Sequence, residues 1–165
     1  MIAELHQIDP AHYDLQRAEW LWDRLKEQRA CFDDYSKDRG DLFAQRFLSP
    51  NTLAFEYADS GLIMIENILP RHSAEIHFFL WDKTIRETAA AKVGREIIRE
   101  AFDVYKLHRI STMHPDFNRF AERVCTFCGF RYEGTARQSW QHNGRFFDTK
   151  IYGLLAHEFE MVRVN

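Results

Sequence analysis

The chain has 165 residues, of which 45% are hydrophobic and 15% aromatic, with 14 phenylalanines. That is enough apolar surface for one well-packed domain and too much for a disordered chain. Its 22 basic and 25 acidic residues leave a formal net charge of -3, which argues against a general electrostatic binder of nucleic acid or anionic membrane.

The N-terminal residues Met1-Ile2-Ala3-Glu4-Leu5-His6 carry neither the basic region nor the apolar run of a secretion signal, and no segment approaches a membrane span, so a cytoplasmic location is expected. From residue 10 to about residue 35 the apolar residues Leu15, Ala18, Trp20, Leu21, Trp22, Leu25 and Ala30 recur at helical spacing and predict one amphipathic helix. A shorter helix over residues 41–47 stops before Ser49-Pro50-Asn51, because proline disfavours helical geometry at the preceding residue. The β-branched and aromatic runs 52–57 and 62–69, separated by Ala58-Asp59-Ser60-Gly61, predict a hairpin, with a third strand at 74–81. Residues 84 to about 107 form the longest helical pattern, with Thr84 and Glu87 spaced as a capping box. A strand at 109–113, a helix at 118–128 ended by Gly129, and strands at 130–140 and 147–155 around a turn at His142-Asn143-Gly144-Arg145 complete the chain. This order predicts a single α/β domain over residues 1–165 with a mixed sheet.

Asn118-Arg119-Phe120-Ala121-Glu122-Arg123-Val124 leads without gaps to Cys128-Gly129-Phe130-Arg131-Tyr132-Glu133-Gly134. Arg137, Asn143-Gly144, Asp148 and Tyr152-Gly153-Leu154-Leu155 follow in order. This succession resembles the GNAT superfamily of acyl-CoA-dependent N-acetyltransferases, nearest the branch that acetylates ribosomal-protein N-termini. The resemblance covers roughly residues 75–158. It implies a mostly antiparallel central sheet flanked by helices, and acetyl-CoA as co-substrate.

The resemblance also implies site residues. The family's pyrophosphate loop, which opens the long helix, falls on Ile85-Arg86-Glu87-Thr88-Ala89-Ala90, where only Ala90 matches and Thr88 stands in place of glycine. Arg86, Thr88, Ala89 and Ala90 are the expected coenzyme contacts, with Lys83, Lys92 and Arg95 as a possible basic rim. A formed capping box would satisfy the helix's free donors and oppose a phosphate. Asn118 is expected either to contact the pantetheine arm or to cap its helix. The carbonyl-polarising backbone, beside a strand bulge in the family, falls near Phe79, Leu80 and Trp81. Glu75 and His77 share a strand face, and either is a candidate general base. The family's general acids, a serine or a tyrosine on the next helix, fall on Ala121 and Cys125; Cys125 is either a substitute acid or a small buried apolar group.

Cys125-Thr126-Phe127-Cys128 lies at a helix C-terminus, the wrong end for a redox thiolate, and no Cys or His spacing fits a metal. Two readings follow. One is an N-acetyltransferase acting on an amine, either a protein N-terminus or a small molecule. The other is a catalytically silent GNAT-fold module serving assembly, like diverged GNAT-like proteins of some tailed phages. A protein partner or a homo-oligomer is compatible with either.

Overall fold

A computed structural model describes residues 5–9, 14–28, 31–57, 60–82 and 84–161. The elements run β1 (Leu5–Gln7), α1 (Leu15–Leu25), α2 (Gly40–Phe47), β2 (Leu53–Tyr57), β3 (Gly61–Leu69), β4 (Ser73–Leu80), α3 (Glu87–Tyr105), β5 (Arg109–Pro115), α4 (Arg119–Cys128), β6 (Arg131–His142), β7 (Arg145–Leu155) and α5 (Ala156–Met161). They form one seven-stranded sheet in the order β1-β2-β3-β4-β5-β7-β6. Neighbours are antiparallel except β4 and β5, which run parallel. The expected mixed, mostly antiparallel architecture is present.

Two apolar layers sandwich the sheet. Ile76 of β4 and Ile110 of β5 pack with Ile97 and Ile98 of α3 and Val124 of α4. On the other face Leu62, Met64 and Phe79 pack with Leu21 of α1 and Phe43 and Phe47 of α2. Strand β3 feeds both layers, and its residues Leu62, Ile63, Met64 and Ile65 are fully buried. A strand covered on both faces reads as a continuous apolar run for this reason. At Gly94 the α3 backbone comes so close to β4 that a Cβ would lie 2.6 Å from Phe78 Cζ.

The first helix is shorter than its periodicity predicts. Asp14 caps it by accepting from the Arg17 N–H at 2.7 Å, and it ends at Leu25. Beyond it, Asp33 and Ser36 bond to each other's backbone N–H, a local polar arrangement that competes with helical bonding. Pro10 and Ala30 of the expected helix, Ala58-Asp59 of the expected turn, and Lys83 lie outside the described residues.

The capping box does not form. Thr84 gives both its N–H (2.8 Å) and its hydroxyl (2.7 Å) to Asp82 Oδ1, and α3 begins only at Glu87 with Arg86 as an N-cap that makes no side-chain bond. Asp82 wins because an Asx-type turn two residues away needs no helical geometry.

The final hairpin is longer than expected. Asn143 (φ 52°) and Gly144 (φ 75°) make a two-residue turn of the kind that suits twisted strands, so pairing continues past the buried part of the sheet. Its tip is tied down: Asp34 accepts from the N–H groups of Asn143 (3.1 Å) and Gly144 (2.7 Å). The Gly144 amide, then Lys37, hold the Asp34 carboxyl down at about 2. The segment after α1 is thereby fastened to the β6–β7 hairpin. β1 and α5 are too short to show a period in sequence. No helix among the described residues is long and apolar enough to cross a membrane.

Candidate active site

Strands β4 and β5 pair only from Ser73↔Arg109 to Glu75↔Ser111. Past that point they part, and a cavity of about 620 Å³ opens between them, within the range of roughly 300–1,000 Å³ usual for small-molecule sites. Its walls come from β4, β5, α4, the segment after α1 and Trp140 of β6.

The β4 edge facing this opening is unpaired backbone. Trp81 N–H bonds to Ser60 O on the β3 side, whereas Ala74 O accepts from Ser111 Oγ on the β5 side. Because backbone groups alternate between the two edges of a strand, and the Glu75↔Ser111 pairing occupies the Ile76 N–H, Phe78 and Leu80 are the residues that turn a free N–H and C=O toward the cavity. Such an edge can take up an extended amide-bearing chain as an added strand. At the end of β4 the N–H groups of Trp81 (3.0 Å) and Asp82 (3.2 Å) both bond to Ser60 O, two residues against one as in a bulge, beside the Phe79-Leu80-Trp81 backbone where the resemblance implies one. Before that point register with β3 is unbroken from Glu66↔Glu75 to Gly61↔Leu80, and a separate irregularity lies on β3 after Glu66, where Asn67 takes φ 51°. Leu80 lines the cavity; Trp81 packs into the α1–α2 layer instead.

Glu75 and His77 do share a face, and sequence reasoning missed their company. His77 Nε2 lies 3.3 Å from Glu66 Oε2 and 3.6 Å from Glu75 Oε2, so that nitrogen carries a proton between two carboxylates. Glu66, 5% exposed, is held by a two-pronged contact from Arg46 of α2, with Nε at 2.9 Å. Asn67 Nδ2 donates to Glu75 Oε1 at 3.3 Å. The hydrogen bond from His77 keeps the Glu75 carboxyl below the ordinary carboxylate range. A glutamate inside an apolar strand run was the one available sign of Glu66.

The cavity meets the α3 approach at Asp82 and Ile85; Arg86, Thr88, Ala89 and Ala90 stand beyond its wall. Arg86 and Thr88 are exposed, Ala89 half-buried and Ala90 buried. Glu87 accepts from its own backbone N–H and from Arg123 Nε of α4 at 2.7 Å, which lowers its pKa and offsets its charge. Arg95 does not join a basic rim: it donates to Cys128 O at 2.9 Å and lies over the Phe159 ring.

Asn118 borders the cavity and also caps α4, its Oδ1 accepting from the Ala121 N–H at 3.1 Å. Asn118→Ala is therefore expected to cost about 1 kcal/mol in a urea unfolding titration. Cys125 is buried, and burial pushes its thiol up to about 12. A thiol that holds its proton so tightly is a poor acid and a good space-filler.

On β5, His114 is 4% exposed and stacks on Tyr152 at 5.3 Å. Burial lowers its pKa below 6.5. The folded state thus favours the neutral ring. The stability this gives is complete above the unfolded value of about 6.5 and is lost as pH falls through the depressed folded one. Thermal melts across this window should show a shallower acid-side decline for His114→Gln than for the unmodified protein.

No protein-family model matches the sequence, and no curated protein matches it. Solved structures do. The chain is similar to the microcin C7 self-immunity acetyltransferase MccE in complex with acetyl-CoA and AMP (TM-score 0.70, 18% identity, 93% of each chain covered). It is similar to a spermidine N-acetyltransferase from Vibrio cholerae in complex with CoA and spermine (0.69, 18%, 94% of this chain and 96% of that one). It is also similar to Mycobacterium smegmatis RimJ in complex with CoA-disulfide (0.71, 17%, 93% and 82%). These likenesses show that the chain has the GNAT acetyltransferase fold.

Proposed function

We propose that the protein is an acetyl-CoA-dependent N-acetyltransferase acting on a cationic amine. The observation that carries this reading is the free β4 edge, which borders one cavity with the Glu75–His77–Glu66 cluster. The coenzyme's pantetheine amides would pair with Phe78 and Leu80, with the carbonyl of the acetyl group on one of their N–H groups. A backbone donor at that position stabilises the charge that develops on oxygen as the amine attacks. With no capping box in place, the Thr88 N–H at the start of α3 is the donor left for the pyrophosphate beside exposed Arg86, since Ala89 and Ala90 give theirs to Arg86 O. An amine arrives at neutral pH as an ammonium ion; Glu75 attracts it, and the Glu75–His77 pair takes its first proton to solvent.

The silent-module reading is favoured by one observation, the Glu87 carboxylate bound to its own N–H at the helix start, where a phosphate would sit. Calorimetric titration and thermal melting with acetyl-CoA separate the two. Binding saturated at a hundred times Kd adds about 2.7 kcal/mol of stability. Absence of heat and of any shift at millimolar acetyl-CoA would overturn the enzyme reading. Transfer itself is read by mass spectrometry with acetyl-CoA and an amine screen of spermine, spermidine, lysine and alanine-initiated peptides.

A further inference from the structure

His114 presents an acceptor with nothing to accept. Its Nδ1 lies 2.9 Å from the carbonyl oxygen of Pro115, and a carbonyl can only accept, so Nδ1 carries the hydrogen of the neutral ring. Nε2 is then a lone pair, and it is buried with no hydrogen-bond partner among the described residues. A buried polar atom without a partner costs stability unless something else meets it. His114 belongs to the wall of the cavity, together with Ala121 and Cys125 of α4. Those are the two positions at which the resemblance leads one to expect an acid for the departing sulfur, and neither side chain supplies one. His114 and Ile110 alternate onto the α3–α4 face of β5, whereas Glu75 and His77 occupy the α1–α2 face of β4. Proton-handling groups thus flank the opening from both faces of the sheet.

Acetyl transfer from a thioester to an ammonium ion requires two protons to leave nitrogen. The first converts ammonium to amine and goes to the Glu75–His77 pair. The second leaves after the C–N bond has formed, while the C–S bond breaks, and the sulfur must end as a thiol. Nitrogen and sulfur are at that moment bonded to the same carbon, so one acceptor placed beside it reaches both. Resting on the acetyltransferase reading above, we propose that His114 is the catalytic residue that takes the second proton from nitrogen on Nε2 and returns it to the coenzyme sulfur. The products balance as an amide, free CoA-SH and one proton released to solvent. Burial of the ring makes the imidazolium a short-lived, strong acid, suited to protonating a thiolate. The charged and titratable groups around it are Glu122, Lys150 and Asp116, with Tyr152 stacked on the ring; Glu122 is itself held ionised by Lys150 and Arg119.

The test uses the unmodified protein first. Long-range imidazole nitrogen–proton spectra should show His114 as the Nδ1–H tautomer, with Nε2 shifting on addition of CoA but not of desulfo-CoA, while calorimetry shows both binding. Failure of either coenzyme to bind overturns the acetyltransferase reading and this proposal with it. Binding with Nε2 unmoved, or moved equally by both, overturns this proposal alone. In turnover with the best acceptor from the amine screen, His114→Gln should lower kcat by about 10²–10⁴-fold with KM for acetyl-CoA little changed. Imidazole added to His114→Ala should recover at least about tenfold of the lost rate, which a purely structural role would not allow. A His114→Gln enzyme as fast as the parent would refute the assignment.

Discussion

Arg46→Met is expected to destabilise the protein by about 3 kcal/mol, the low end of the cost of breaking a buried ion pair. The low end applies because the Arg46 side chain is 40% exposed, so water already screens part of the interaction, whereas Glu66 is 5% exposed and would be stranded. With Arg46 gone, Glu66 keeps only His77 Nε2 nearby, 3.3 Å away. The double variant Arg46→Met with Glu66→Leu removes both charges and should return to within about 1 kcal/mol of the parent, since an apolar pair of similar volume fills the same space. Urea unfolding of the parent, both single variants and the double variant closes the cycle. A near-zero coupling between the two sites would show that the contact is a solvated surface pair. Turnover gives a second reading: the double variant should be stable yet slow, because His77 loses the carboxylate that orients it.

The parts of this molecule that were legible in the sequence are those whose signal is local. The Asn118 cap, Gly129 at φ 97° and the Asn143-Gly144 turn are backbone requirements met by residue types, and each is found where expected. The stretch of β3 from Leu62 to Ile65, buried on both faces, read as a strand because its apolar run was continuous. The capping box failed for a reason equally local but unweighed: Asp82 competes for Thr84 from two residues upstream. The site was harder because its geometry is non-local. Glu66 and Glu75 are brought together by an antiparallel register, and Arg46 reaches them from α2 across the sheet face. Nothing in the spacing of residues 46, 66 and 77 announces that meeting. His114 was visible only as one histidine among several, since the tautomer that leaves Nε2 unpartnered depends on the carbonyl of Pro115. Cys125 aligned with a family acid by count alone, and burial decides its chemistry.

Phe79→Ala should cost about 3–5 kcal/mol, the usual range for deleting a buried phenylalanine ring. Phe79 is 3% exposed, and its ring stacks on Phe32 at 5.8 Å, meets Phe43 edge-on at 6.4 Å and lies 6.2 Å from the His77 ring. It joins three parts of the α1–α2 face: helix α2, the segment after α1, and the strand that bears Glu75 and His77. Its neighbour Phe78 points to the opposite face, where Gly94 leaves room for its ring against α3. Adjacent strand residues on opposite layers give the prediction a spatial signature. Hydrogen exchange in Phe79→Ala should rise in α1, α2 and the segment around Phe32, with α3 and α4 still protected. Phe78→Ala should produce the reverse pattern. Acetyl-CoA affinity should then follow the Phe78 side, since pantetheine would lie along the β4 edge over α3 and α4, and acceptor KM should follow the Phe79 side. If both variants loosen the same helices, the two-layer division of the site between coenzyme and amine is wrong.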